Sequence, residues 1–181
     1  MKNRPTRPER TPGHRPWYRP PGGILAAVAV LASFILWIYA LSGVARKDPP
    51  DTLADKVYAA EAERRCAPYR QTVDGLPPAP AATSPEDRAT VLGQANATLA
   101  AMVVDLRTLG PDNDADRVIV DAWLRDWDRY LQDRRSYQQV LATGTDAKFV
   151  LTSDDGFIYT KSMDNLATVN DMPSCSTPGD V

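Results

Sequence analysis

Histidine and cysteine are scarce in this chain of 181 residues. The single histidine is His14, and the two cysteines, Cys66 and Cys175, are far apart. Residues 15–181 therefore offer no imidazole base for Ser-His-Asp or Cys-His catalysis, and no ligand set for structural zinc. Phosphate-binding motifs of the GxxxxGK[ST] and GxGxxG types are also missing. We predict no enzymatic activity, no cofactor and no metal site; a hydrolase that uses only Asp and Glu stays open as an alternative.

Charge is missing between positions 24 and 45, where the sequence reads ILAAVAVLASFILWIYALSGVA. A helix of these residues is about 33 Å long, enough to cross a hydrocarbon core of roughly 30 Å. Trp17 and Tyr18 precede this run, and Trp37 and Tyr39 lie near its other end, as expected for aromatic side chains at two membrane interfaces. The sequence therefore predicts a transmembrane helix over residues 24–45, embedded in a lipid bilayer.

The formal net charge of −2 hides two opposed parts. Residues 1–20 carry six basic groups and one acidic group, whereas residues 46–181 carry 15 basic and 22 acidic groups. Because basic flanks stay in the cytoplasm, we predict a single-pass signal-anchor protein of the cell membrane with a cytoplasmic N-terminus and an extracytoplasmic C-terminus. The alternative is a cleaved signal peptide that ends at Gly43-Val44-Ala45. The acidic outer region argues against nucleic acid as a partner.

Residues 1–23 are rich in proline and arginine, which predicts a disordered cytoplasmic tail. Such a tail is attracted to anionic lipid headgroups. Pro5-Thr6-Arg7-Pro8 also fits a ligand of a proline-recognising domain, and phosphorylation of Thr6 or Thr11 would lower the positive charge.

Apolar residues at helical spacing predict three principal helices in the extracytoplasmic region, residues 46–181. The first runs from Ala54 to about Leu76 and is expected to bend or end near Pro68, before a loop over residues 74–85. The second begins at Ser84-Pro85, a cap followed by a proline at the first helical position, and ends at Gly110.

The third predicted helix runs from Asn113 to about Ala142 and has a wide apolar face. Its other face is expected to be solvated, and it holds Asp121, Arg125, Asp128, Arg129, Asp133 and Arg135. Asp112 to Asp116 fails as a calcium loop, because Arg117 and Trp123 occupy the positions that need glycine and glutamate. These acids are expected to cap the helix instead.

The C-terminal segment is less regular. Phe149-Val150-Leu151 and Phe157-Ile158-Tyr159 flank Asp155-Gly156, which permits a hairpin, whereas a short helix over residues 162–169 is the alternative. The predicted fold class is mainly α, with one transmembrane helix and a three-helix bundle-like outer domain that ends in an irregular segment.

Cys66 and Cys175 both lie on the predicted outer side, where an oxidising compartment favours a disulfide between them. Closing a loop of about 110 residues stabilises by up to about 4.7 kcal/mol in the chain-entropy model. Free thiols, an intermolecular bridge and lipid-modified Cys66 are the alternatives.

One set of side chains on the third helix is a candidate ligand groove: Trp123, Trp127, Tyr130, Arg134 and Tyr137. Aromatic residues on one helical face also pack in cores, and Arg134 among them must reach solvent, pair with an acid or bind an anion. The sequon Asn96-Ala97-Thr98 lies inside a predicted helix and is discounted as a glycosylation site.

The composition, rich in arginine, alanine, aspartate and proline, is typical of a high-GC genome. A proline-arginine tail, one span, a cysteine soon after it, the stretch from Trp123 to Tyr137, and the closing Asn170-Asp171-Met172-Pro173-Ser174-Cys175 resemble small uncharacterised single-pass membrane proteins of actinobacterial type. The resemblance covers most of the chain and implies no activity. We expect a non-enzymatic envelope interaction or accessory protein with a membrane or envelope protein partner; the alternative is an extracellular small-ligand-binding or sensor module.

Overall fold

The computed structural model of the protein describes residues 21–41, 51–153 and 158–181. The chain divides into two compact units, residues 1–47 and 48–181. The described ranges form five α-helices and two short 3-10 helices, without a strand, which confirms a mainly helical protein. The helices are α1 (Pro21–Leu41), α2 (Lys56–Asp74), α3 (Pro85–Leu106), α4 (Asp114–Leu141) and α5 (Tyr159–Val169), and the 3-10 helices are Ala79–Ala81 and Pro173–Cys175.

Helix α1 covers most of the predicted membrane span and carries no charge. Its large apolar side chains are between 54% and 75% exposed. Residues 42–45, the end of the predicted span, and residues 1–20 of the predicted cytoplasmic tail lie outside the described residues. Among the described residues, the apolar stretch Gly23–Tyr39 is therefore shorter than the roughly 20 residues that cross a bilayer.

Helix α3 is, among the described residues, the one helix long and apolar enough to cross a membrane by length and composition. Part of it is buried in the second unit, where α3 packs against both α2 and α4. Its buried side chains include Leu99, Met102 and Leu106. These contacts are typical of the core helix of a folded domain.

The predicted starts of α3 and α4 are confirmed. The Ser84 hydroxyl accepts from the Asp87 amide, and the Asn113 side chain accepts from the Asp116 amide, so each helix has a side-chain cap. The prediction for Pro68 is corrected in one respect, because α2 continues through it to Asp74. Proline removes one helical hydrogen bond locally, but buried side chains before and after Pro68 hold α2 in the core.

The second unit closes as a ring of contacts. α2 packs on α3, α3 on α4, and α4 on α5, and the turn Pro173–Cys175 contacts both α5 and α2. The largest fully buried apolar side chains come from α3, α4 and α5 and from the residues just before α2 and before the turn Pro173–Cys175: Leu53, Leu99, Met102, Val103, Leu106, Val120, Trp127, Leu141, Tyr159, Met163 and Met172.

The described part of the C-terminal region contains a helix, Tyr159–Val169, and no strand. Residues 149–151 form no strand, and Tyr159 is the first residue of α5; the proposed Asp155-Gly156 turn lies outside the described residues. At the end of α5, the Met172 amide bonds to the Ala167 carbonyl and the Asp171 amide to the Thr168 carbonyl. Asp171 takes the left-handed conformation that this helix ending requires, with φ of 57°.

Several groups fasten the segment after α5, and the predicted disulfide is one of them. Cys66 and Cys175 are bonded, with their Cα atoms 5.3 Å apart, and both are fully buried. Glu63 accepts from the amide and hydroxyl of Ser174, at 2.9 and 2.6 Å. Asp164 accepts from the amide and hydroxyl of Thr177, at 2.7 and 2.9 Å. The segment is thus held to both α2 and α5.

Asp116 joins the starts of α2 and α4. Its carboxylate is 3% exposed and accepts from the amides of Ala54 and Asp55, at 3.2 and 2.7 Å, and from the Asn113 side chain at 2.8 Å. Burial raises the pKa of Asp116, but these hydrogen bonds lower it more, so that its net pKa lies below the ordinary value. Its ionised form therefore stabilises the fold.

We expect Asp116→Asn to destabilise the full-length protein in nonionic detergent by about 1–3 kcal/mol at pH 7, since an amide cannot accept from all three donors. A group whose pKa is lowered on folding stabilises above its unfolded pKa, about 3.9, and this contribution is lost as the pH falls through the lowered value. The difference in the free energy of unfolding between Asp116→Asn and the wild type should therefore become smaller from pH 7 to pH 3. Urea unfolding followed by circular dichroism measures both.

The matched control is Asp114→Asn, on the exposed first turn of the same helix, where the carboxylate pairs only with Arg117. We expect this change to alter the free energy of unfolding by less than about 0.5 kcal/mol at pH 7. Equal losses in the two variants would contradict a special role for Asp116.

Candidate functional site

The five residues of the predicted groove lie in the core. Trp123, Trp127, Tyr130, Arg134 and Tyr137 are all at most 5% exposed. The rings meet edge to face, with centroid distances of 6.4 Å for Trp123–Trp127 and 5.7 Å for Trp127–Tyr130. Phe149 covers Tyr130 and Tyr137, at 6.1 and 5.5 Å. These side chains pack in the interior of the second unit, and Tyr137 also lines the pocket described below.

Arg134 pairs with an acid, which is one of the outcomes that the sequence left open. Its guanidinium is fully buried and binds both carboxylate oxygens of Asp180, each at 2.6 Å. Nε donates to Asn96 Oδ1 at 2.7 Å, and Nη1 donates to the Tyr130 hydroxyl at 3.2 Å. Burial lowers the pKa of Arg134, but the hydrogen bonds and electrostatic interactions with Asp180 and Tyr130 together outweigh burial and raise the net pKa. This guanidinium is therefore already neutralised.

Asn96, the asparagine of the sequon, is part of the same network. It is 3% exposed and also donates to Gln138 Oε1 at 3.0 Å. The close approach of Gln138 is possible because residue 93 is glycine, where a Cβ atom would lie 2.5 Å from Gln138 Nε2. The Asn96 side chain therefore joins α3 to α4 through its hydrogen bonds to Arg134 and Gln138.

The prediction that Asp133 lies on the solvated face of α4 is wrong, because Asp133 is buried. Its carboxylate is 9% exposed and accepts from the Thr152 amide at 2.7 Å, the Thr152 hydroxyl at 2.5 Å and the Tyr159 hydroxyl at 2.6 Å. Burial and this carboxylate raise the pKa of Tyr159. Asp133 thus fixes the chain after α4 and the start of α5.

A pocket of about 680 Å³ opens beside the Arg134 network. The proline-rich loop after α2 and the first turns of α3 form most of its wall, and Tyr137 and the segment 179–181 complete it. We call it the Arg88 pocket, after its half-buried basic residue; the other side chains that matter below are Leu76, Pro77, Val91, Leu92 and Tyr137. Its size falls in the range of small-molecule sites, about 300–1,000 Å³.

Arg88 is the basic residue in the lining of this pocket, and its guanidinium lies against an aromatic ring. Its guanidinium carbon lies 5.2 Å from the centre of the Tyr137 ring. Within the described ranges it makes no ion pair and no side-chain hydrogen bond. Two acids that line the pocket are already paired, Asp74 with Arg70 and Asp180 with Arg134.

Sequence reasoning missed this pocket. Residues 74–85 were expected to be a loop; they link α2 to α3 and include the 3-10 helix Ala79–Ala81, but the composition of a connecting segment does not reveal a cavity. Arg88 occupies an ordinary first-turn position of α3, and only the folded chain places it on Tyr137 of α4.

The described residues contain no group of three or more His, Cys, Asp or Glu side chains that could hold a metal ion. Asp112 and Asp116 instead belong to the junction of α2 and α4, where the Asp112 amide donates to Asp55 at 2.9 Å. No family model, no curated protein and no solved structure matches the chain.

We expect Asp180→Ala to destabilise the protein by about 3–5 kcal/mol, because it leaves the buried Arg134 without a counter-charge. Adding Arg134→Met to Asp180→Ala should restore at least about 1 kcal/mol, since the unpaired charge is then gone. Urea unfolding of the full-length protein in nonionic detergent, followed by tryptophan fluorescence, gives these values.

Asp128→Ala serves as the control, because Asp128 pairs with Arg107 at the surface, where both side chains are about half exposed. Its expected cost is below about 1 kcal/mol. A double variant less stable than Asp180→Ala alone would show that Arg134 does not suffer from losing its partner.

Proposed function

We propose that this is a non-enzymatic, membrane-anchored interaction or accessory protein of the cell envelope. In this proposal α1 crosses the cell membrane once, the basic tail stays in the cytoplasm and touches anionic headgroups, and a three-helix bundle-like domain lies outside. The observation that carries the proposal is the surface of α1. It is uncharged, and its large apolar side chains are at least 54% exposed, a surface that suits lipid and not water.

Two further observations support the orientation. The six basic residues before α1 favour a cytoplasmic N-terminus. The second unit contains a disulfide between Cys66 and Cys175, and disulfides persist in oxidising compartments.

Single cysteines introduced on the two sides of α1 test the topology. In intact cells a membrane-impermeant maleimide should label Ser136→Cys, an exposed position on α4, and should label Thr6→Cys only after permeabilisation. Wild-type protein is the control, because its two cysteines form a buried disulfide. Labelling of Thr6→Cys in intact cells, or labelling of Ser136→Cys only after permeabilisation, would contradict the proposal.

Crosslinking in intact membranes tests the interaction role. We expect the full-length chain to recover a distinct membrane or envelope protein. The matched control is a chimera that keeps residues 1–50 and carries an unrelated soluble domain in place of residues 51–181. Partners that the chimera recovers equally well belong to the anchor, and an identical set for both proteins would refute an interaction through the outer domain.

The Arg88 pocket favours a second candidate function, an extracellular module that binds a small ligand. The groove predicted on α4 is filled by its own aromatic rings, and Arg134 is paired with Asp180. The pocket beside them offers about 680 Å³ and a charged group that other side chains leave unpaired. It is therefore the place where such a ligand would bind.

A further inference from the structure

We propose that the Arg88 pocket binds an organic anion with an apolar body, whose carboxylate or phosphate group pairs with the Arg88 guanidinium. This inference rests on the second candidate function, ligand binding by the outer domain, and names the ligand class. The evidence is the coincidence of an apolar cavity with one basic group that lacks an acidic partner.

The apolar part of the ligand is defined by the walls. Leu76 and Pro77 from the loop after α2 face the same cavity as Val91 and Leu92 from α3. Binding is favoured when an apolar chain or ring of the ligand displaces water from such a surface. The cavity is large enough for a molecule the size of a drug or a short acyl chain.

The charged part of the ligand is defined by Arg88. A half-buried guanidinium that forms no ion pair within the described residues is a donor for a carboxylate or phosphate, which it can bind with two parallel hydrogen bonds. Asp74 and Asp180 are occupied by other arginines, and Asp87 is exposed and accepts from the Thr83 hydroxyl. They do not compete for Arg88 through any ion pair within the described ranges.

The Tyr137 ring does not offer this pocket an open aromatic face for a cationic ligand. The face of the Tyr137 ring, which would attract a cation, is already covered by Arg88. Tyr137 is itself held in place, because its hydroxyl donates to the Ala147 carbonyl at 3.3 Å. Arg88 therefore packs beside the cavity on a ring whose position is fixed by a hydrogen bond.

Titration of the full-length protein in phosphatidylcholine nanodiscs tests the proposal, with empty nanodiscs as the blank. The probes are 4-phenylbutanoate and its neutral amide, which share the apolar body and differ in the charged group. We expect the carboxylate to bind about tenfold more tightly than the amide, because a charge-assisted hydrogen bond distinguishes them. Calorimetry or ligand-detected NMR measures both affinities.

Three variants locate the binding. Arg88→Met keeps an apolar side chain on Tyr137 and should weaken the carboxylate about tenfold while leaving the amide within twofold. Val91→Trp fills the cavity and should abolish binding of both probes. Arg125→Met, the same substitution at an exposed arginine on α4, should change neither affinity. Thermal unfolding verifies that each variant is folded.

The outcomes separate the two levels of the proposal. If both probes bind equally to the wild type and Val91→Trp abolishes binding, ligand binding stands and the preference for anions is overturned. If folded wild-type protein binds neither probe at millimolar concentration, ligand binding by this pocket and the preference for anions are both overturned. Loss of carboxylate binding in Arg125→Met as large as in Arg88→Met would also overturn the assignment to Arg88.

The natural ligand can come from a phospholipid headgroup region or from a free carboxylic acid. Mass spectrometry of organic extracts from the purified wild-type protein and from purified Arg88→Met distinguishes these sources. A phospholipid enriched in the wild-type extract identifies a lipid source, and a free carboxylic acid enriched there identifies a free acid. Equal extracts from the two proteins would count against an anion held by Arg88.

Discussion

The second unit depends on the burial of one guanidinium. Arg134 is fully enclosed on α4, and an unpaired charge there would cost several kilocalories per mole. Its donors are taken up by Asn96 on α3, Tyr130 on α4 and Asp180 in the C-terminal segment. Because the guanidinium presents its donors in a planar fork, the carboxylate of Asp180 has one favourable position. The last residues of the domain therefore lie where Arg134 requires them.

The same constraint creates the Arg88 pocket. Residues 179–181 form one of its walls, and the bonds of Asp180 to Arg134 hold that wall beside α3 and α4. The disulfide to α2 and the carboxylates of Glu63 and Asp164 fix the preceding residues. The cavity is thus bounded by a segment with little regular structure that is nevertheless held at many points.

Helices α1 and α3 show why apolar composition alone does not define a membrane span. α3 is long and apolar enough to cross a bilayer, yet part of its apolar surface, including Leu99, Met102 and Leu106, is buried in the second unit, where α3 packs against α2 and α4. The large apolar side chains of α1 are exposed, and the sequence before it is strongly basic. Where each helix places its apolar surface, and which charges flank it, are the grounds on which we propose α1 and not α3 as the membrane span.

Local chemistry was sufficient to predict much of the fold from the sequence. The starts of α3 and α4 follow from Ser84 and Asn113, because a cap acts on amides two or three residues away. The disulfide followed from there being only two cysteines in a region expected to be oxidising. The apolar face of α4 was predicted from its periodicity, although whether it formed a groove or a core was not, since periodicity defines a face and not its neighbour.

Contacts between distant residues were decided only by the tertiary structure. Pro68 does not end α2, because packing on both sides of it outweighs a local preference. Asp133 lies at a position typical of a solvated face, but Thr152 and Tyr159 bury it. The partner of Arg134 is 46 residues away, and Arg88 meets Tyr137 from another helix. The sequence by itself determined the helices, the charge asymmetry and the disulfide; the buried ion pair and the pocket exist only because folding brings these separate segments together.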